Sequence, residues 1–191
     1  LSLVQHLTRT GGEEGVFLMV VLHMGTLLAV FIAFWDTIKE LIIEFFRMVG
    51  DIFTGKFKWK TMNGYRRMII MIIISTAMLI SVYFIKDFFT SKQSDGDIIF
   101  EGVAFLFTAL LLFIADKCKK GDKKPEDITV PDAVTVGVAQ CVALFPGVSR
   151  SGTTMTAGLL CGFSKKLAIT YSFIMGIPAI LGGGLLELKD A

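Results

Sequence analysis

The run Pro146-Gly147-Val148-Ser149-Arg150-Ser151-Gly152-Thr153-Thr154 sets one arginine among two serines, two threonines and two glycines. A guanidinium presents its N–H donors in a planar fork that matches phosphate oxygens. The hydroxyls of Ser149, Ser151, Thr153 and Thr154, with Thr156 just beyond, add donors around it. Gly147 and Gly152 let the backbone bend. Between Ala133 and Leu186 there is no Asp or Glu. Arg150 therefore has no carboxylate close in sequence, and its partner is either an acid from elsewhere in the fold or a bound anion. A short helix following the run would aim its free N–H groups at the same place. Together these are the parts of a phosphate site. Ser, Thr and Gly are also common at contacts between membrane helices. Taken one at a time the hydroxyls fit that plainer reading equally well, but a lone arginine does not.

The elements that must position this run are apolar. Of the 191 residues 53% are hydrophobic and 19% charged, and the mean hydropathy is +0.68. The apolar residues fall in blocks of about twenty, the length that crosses a hydrocarbon core. Four spans are expected, at about 16–35, 68–85, 98–115 and 167–188. Between the first two, Ile38 to Phe53 alternates apolar pairs with charges at helical spacing, as an interfacial amphipathic helix would. Segment 36–67 holds seven Lys/Arg and segment 116–131 five, against only Lys86 and Lys92 in 86–97. By the positive-inside rule the two long segments are cytoplasmic. A net charge of +2, with the basic residues confined to loops, speaks against nucleic acid. Cys118, Cys141 and Cys161 lack metal-site spacing, and the last two read as packing residues.

The region 132–165 does not read as a simple span. Thr129-Val130-Pro131-Asp132 has a Thr cap, an early Pro and an acid three residues after the cap, the pattern of a helix start. The approach to Phe145 is about 14 residues, roughly 21 Å, too short to cross. A break is expected at Pro146-Gly147, then a second short helix from Met155 to Phe163. Lys165 and Lys166 bring the chain back to the basic side. The fold class expected is an all-α integral membrane protein, several spans plus a re-entrant broken-helix hairpin. Its irregular tip, past mid-membrane toward the outer leaflet, is tolerable only against protein or a wet cavity. A charge at that depth marks a functional site.

Gln140 to Thr154, QCVALFPGVSRSGTT, resembles the PGxSRSxxT signature of the undecaprenyl-diphosphatase (bacitracin-resistance) family, matching at Pro146, Gly147, Ser149, Arg150, Ser151 and Thr154. The stretches Leu22 to Ala29 and Phe173 to Leu188 resemble the family as well, so the resemblance covers essentially the whole chain. It implies removal of one phosphate from undecaprenyl diphosphate, recycling the lipid carrier of cell-wall polymers, in a multi-pass protein of the bacterial plasma membrane. Arg150 would clamp the phosphates and stabilise developing charge. Ser149, Ser151 and Thr154 would act with it, and Gly147, Gly152, Thr153 and Gln140 would line the phosphate site. The implied partners are a polyprenyl diphosphate and the bilayer, with a homodimer left open.

The family also carries a paired-glutamate motif (ExxxE) near its N-terminus, which is absent here; Glu13-Glu14 has the wrong spacing. The resemblance implies a divalent cation, Mg²⁺ or Ca²⁺, but no metal ligands for it are found in this chain. An inverted repeat, as in many broken-helix proteins, is echoed by Met24-Gly25 against Met175-Gly176. Arg150 stands 26 residues before Gly176, and the same count back from Gly25 falls ahead of residue 1. The expectation is a middle fragment with little turnover by itself. His6 reads as interfacial, His23 as a packing or hydrogen-bonding residue between helices, and Glu101 as solvated at the interface. A non-hydrolytic polyprenyl-phosphate transporter or binding protein is the competing function, since architecture alone does not separate the two.

Overall fold

The computed structural model describes residues 13–59, 62–83, 98–118, 121–145 and 147–190, with side chains described within 21–59, 62–79, 102–118, 121–145 and 147–182. His6, Pro146 and the loop 86–97 lie outside the described residues, as do the side chains of Glu13, Glu14 and Glu101.

The described residues form α-helices without a strand: α1 (Glu13–Ala33), α2 (Trp35–Phe53), α3 (Gly64–Tyr83), α4 (Ile98–Lys117), α5 (Val130–Val142), α6 (Arg150–Leu160) and α7 (Lys165–Asp190). One 3-10 turn, Pro125–Asp127, precedes α5. The described part of each apolar block falls mainly in one of the long helices α1, α3, α4 and α7, the first block running on through the bend to Trp35. Within the stretches described to the side chain, no single helix is long and apolar enough to cross a membrane. Val21–Ala33 and Trp35–Phe53 meet that requirement together, as a pair bent by 86°.

The bend falls at Phe34, whose ring stacks on Phe173 of α7 at 5.7 Å. Beyond it, α2 turns Ile38, Leu41, Glu44 and Met48 inward, a spacing that keeps them on one face. A carboxylate on that face needs partners, because burying an unpaired charge costs several kcal/mol. Arg66 Nε and Arg47 Nη1 each lie 2.7 Å from a Glu44 oxygen, and Arg66 Nη1 lies 2.7 Å from Asp51. Arg66, foremost, holds the Glu44 carboxyl below the usual carboxylate range. The same arginine thus pins the middle and the last turn of α2 to the start of α3.

The centre is built on α3, α5 and α7. Tyr171 and Ser75, both buried, hydrogen-bond at 2.7 Å, and Ser75 Oγ donates onward to the carbonyl of Ala133. Gly137 faces the backbone of Ser75, where an added Cβ would come within 2.8 Å of its oxygen. This contact lets α3 and α5 run closely side by side. Met68, Met71, Ile128, Val136, Phe163 and Met175 fill the surrounding space.

α5 and α6 form a hairpin. Thr129 caps α5 with the reciprocal Asp132 box read from the sequence, and Asp132 also pairs with Lys123 at 2.8 Å. The feet of the hairpin are stitched together: the Lys123 N–H donates to Gly162 O, and the Ser164 N–H donates to Lys123 O. Two features differ from the sequence expectation. α5 stops at Val142 rather than at Pro146, because Leu144 and Phe145 tighten into i→i+3 bonds. α6 begins at Arg150 rather than near Met155, so the polar run is the first turn of a helix and not a loop.

Candidate functional site

The early start of α6 follows from its cap. Ser149, at φ −70° and ψ 113°, takes the N-cap position, and its Oγ accepts the N–H of Gly152. Its own N–H donates to Thr108 Oγ1 of α4 at 3.1 Å. Ahead of it Gly147 sits at φ +83°, left-handed backbone that costs glycine least. In the following turns the hydroxyls fold back on the helix: Thr153 Oγ1 donates to Ser149 O, Thr154 Oγ1 to Arg150 O and Thr156 Oγ1 to Gly152 O, at 2.7–2.9 Å. These bonds satisfy polar groups where α6 is buried. They also occupy the donors that the sequence reading had offered to a phosphate.

Arg150 and Ser151 point elsewhere. With Thr26, Leu27 and Val30 of α1, and Ser172, Phe173, Ile177 and Ile180 of α7, they line a cavity of about 140 Å³. One Arg150 guanidinium nitrogen donates to the carbonyl of Gly176 at a long 3.4 Å. Among the described residues no carboxylate lies within ion-pairing distance of this arginine. Gly176 itself makes room: an added Cβ would stand 3.1 Å from Arg150 Nη2 and 3.5 Å from Cζ. Ser172 ties α7 to the first turn of α6, its Oγ 2.6 Å from Thr154 Oγ1 and donating to Ser151 O at 3.3 Å. The cavity therefore has a cationic, hydroxyl-bearing and helix-N-terminal end and an apolar wall.

The sequence-named residues divide accordingly. Arg150 and Ser151 meet in the cavity, while Ser149 caps α6 and Gly147 shapes its approach. Thr153 and Thr154 are buried, and Gly152 is buried with its N–H on Ser149. Gln140 is 1% exposed, lies outside the cavity wall, and neither of its amide atoms has a hydrogen-bond partner. His23 is exposed on α1, where Leu27 and Val30 are buried. Sequence reasoning passed over Thr26 and Ser172, which as single hydroxyls in apolar blocks carry no signal. Gly176 did carry one, the Met-Gly echo 26 residues after Arg150, although its contact with the guanidinium was not legible.

The model for the bacitracin resistance protein BacA family matches residues 1–191. The chain belongs to that family. It is 40% identical over 192 residues to an undecaprenyl-diphosphatase of Alkaliphilus metalliredigens, covering 100% of this chain and 68% of that protein. An undecaprenyl-diphosphatase of Halothermothrix orenii is 37% identical, with 100% of this chain and 66% of the relative covered. Undecaprenyl-diphosphatase 3 of Bacillus cereus is also 37% identical, covering 100% and 65%. The chain thus spans about two thirds of the length of these relatives.

Phosphate chemistry in this family raises the question of a divalent cation. Among the described residues no three His, Cys, Asp or Glu side chains gather as a metal site would require, and the cavity wall contains no carboxylate. The described residues of the cavity do not fit a metal.

Proposed function

We propose that the protein carrying this chain hydrolyses undecaprenyl diphosphate to undecaprenyl phosphate and phosphate, with the Arg150 cavity holding the diphosphate head. The observation that carries this reading is the arginine itself. It stands at a helix N-terminus, in a cavity walled by Leu27, Val30, Phe173, Ile177 and Ile180, without a carboxylate partner among the described residues. A cation left unpaired beside apolar walls is costly, and an anionic ligand offsets that cost. At about 140 Å³ the cavity is smaller than sites that enclose a drug-sized ligand, ~300–1,000 Å³. It suits a head group whose isoprenoid chain runs outside, along apolar surface. Arg150 binds the phosphate oxygens and stabilises the charge that builds as the anhydride bond breaks. Ser151 lies beside it as a further donor. A divalent cation would be held by residues other than those described here.

In this reading the protein is a multi-pass protein of the bacterial plasma membrane. α4 supports it: Val103, Phe105, Leu106, Leu110 and Phe113 are 51–72% exposed, a large apolar surface that suits lipid. Lys123, Lys124, Lys165 and Lys166 cluster at the feet of the hairpin. Arg150 lies at its tip, a 13-residue α5 away, or roughly 20 Å. With the basic feet on the cytoplasmic side, the cavity faces the outer half of the bilayer. The test is phosphate release from a C15 or longer prenyl diphosphate by the full-length protein, with Arg150→Ala alongside. Undiminished release in that variant overturns the assignment of the clamp. No release by the intact protein with any divalent ion favours transport over hydrolysis.

A further inference from the structure

α2 carries a second apolar face that is largely exposed. Its inward face, Ile38, Leu41, Glu44 and Met48, is used against the rest of the chain. A separate stripe, Trp35, Ile42, Phe46, Val49 and Phe53, recurs at seven, four, three and four residues and so shares one side of the helix. Trp35, Ile42, Phe46 and Phe53 on it are 56%, 47%, 69% and 87% exposed. Of the charges on this helix, Glu44 and Asp51 are held by Arg66 and Arg47 reaches back to Glu44, while Asp36 and Lys39 are exposed and Glu40 is half-buried. The exposed charges that follow the helix, Lys56 and Lys58, are both basic. The turn after α2 folds toward its end, the N–H groups of Lys56 and Phe57 both donating to Asp51 O. This keeps Lys56 and Phe57 close to the last turn of α2, with the exposed Lys58 and Trp59 following directly. The 86° bend at Phe34 turns α2 almost square to α1.

We propose that α2 lies in the plane of the bilayer surface, with the Trp35–Phe53 stripe sunk at the headgroup boundary and Lys39, Arg47, Lys56 and Lys58 on anionic phospholipid headgroups. This rests on the membrane reading above and goes beyond it by assigning an orientation and a lipid chemistry to a helix outside the catalytic cavity. If α1 runs along the membrane normal, the bend alone puts α2 in the plane. An apolar stripe edged by lysines is the composition that binds such a surface, and Trp, here at the start of α2 and just past its end, is the side chain favoured at headgroup level. A helix of 19 residues set along the normal would instead separate its ends by roughly 28 Å, nearly a whole hydrocarbon core.

The chain holds two tryptophans, Trp35 at the start of α2 and Trp59 six residues past its end, so depth is measurable directly. The full-length protein, reduced to these two tryptophans, is reconstituted as Trp59→Phe and Trp35→Phe variants in phosphatidylcholine vesicles with and without phosphatidylglycerol. Quenching is read with lipids brominated near the headgroup or near the chain end. A third variant, Leu106→Trp in a background lacking both, reports on the exposed middle of α4. The expected result is stronger quenching by the shallow than by the deep label at both Trp35 and Trp59, and the reverse at position 106. Shallow quenching at Trp59 falls when phosphatidylglycerol is omitted, or when Lys56→Glu and Lys58→Glu are introduced. Different depths for the two tryptophans, or no quenching of either while position 106 is quenched, overturn the in-plane helix and leave the membrane reading standing. Quenching indifferent to phosphatidylglycerol and to both substitutions overturns the anionic-lipid assignment. Absence of quenching at position 106 overturns the membrane reading and the in-plane helix with it.

Discussion

Replacing Gly176 by alanine tests the site through a residue that contributes only space and a carbonyl. The new Cβ would lie 3.1 Å from Arg150 Nη2 and 3.5 Å from Cζ, inside the ~3.5–4.0 Å of a relaxed heavy-atom contact. The guanidinium must retreat by roughly 0.4–0.9 Å to restore that contact. A misplacement of about 1 Å in a catalytic arrangement costs on the order of 100-fold. About half of that displacement corresponds to roughly tenfold, or ~1.4 kcal/mol in the barrier. The fold should not suffer, because alanine is favoured over glycine in a helix interior by about 0.8–1 kcal/mol. The assay is kcat/KM for phosphate release from a prenyl diphosphate by the full-length protein, paired with its melting temperature. The expected outcome is about a tenfold loss with an unchanged or higher Tm, and a steeper loss in Gly176→Val. If Gly176→Ala keeps wild-type kcat/KM while Arg150→Ala is impaired, the contact between α7 and the guanidinium does not set its position. A loss of activity accompanied by a lower Tm would equally refute the reasoning.

The two serines that flank Arg150 should separate by readout. Ser149→Ala removes an N-cap worth ~0.5–2 kcal/mol and should lower Tm, whereas Ser151→Ala should leave Tm near wild type and lower phosphate release. Gly137→Ala drives a methyl to within 2.8 Å of Ser75 O and Met78 Cγ. It should cost about 1–3 kcal/mol, read as a lower Tm in thermal unfolding. Glu44 provides a pH test. Its carboxyl is lowered in the fold, mainly by Arg66, so the pairing contributes stability that is fully present above the ordinary carboxylate value, roughly 4.3. That contribution is lost as pH falls through the lowered folded value. The Tm gap between wild type and Glu44→Gln should accordingly be widest near neutrality and shrink as pH falls below about 4; a gap independent of pH would refute it.

The legible parts of this protein are those fixed by near neighbours along the chain. The apolar blocks predicted α1, α3, α4 and α7, because helices bury or present such blocks whatever surrounds them. Thr129 and Asp132 predicted the start of α5, because a capping box is closed by residues three apart. The run at Arg150 stood out from residue types alone, as an arginine among hydroxyls without a nearby acid. Its helical start was not, because the apolar pattern that signals a helix begins only at Met155, while Ser149 and the threonines stabilise the first turn through their own side chains. Nor could spacing assign the hydroxyls. Ser149, Thr153 and Thr154 match a phosphate cradle in sequence, yet each is committed to backbone or to Ser172 once α6 is packed. Thr26, Ser172 and Gly176 joined the site only when α1 and α7 were laid against α6. Which face of one helix meets another is decided by the packing of the whole set, and no period in a single segment records it. The sequence by itself offered an arginine set among hydroxyls and glycines between two short helices. The tertiary structure decided that Arg150 and Ser151 alone of the motif line the cavity, and that a glycine 26 residues away makes the space in which the guanidinium sits.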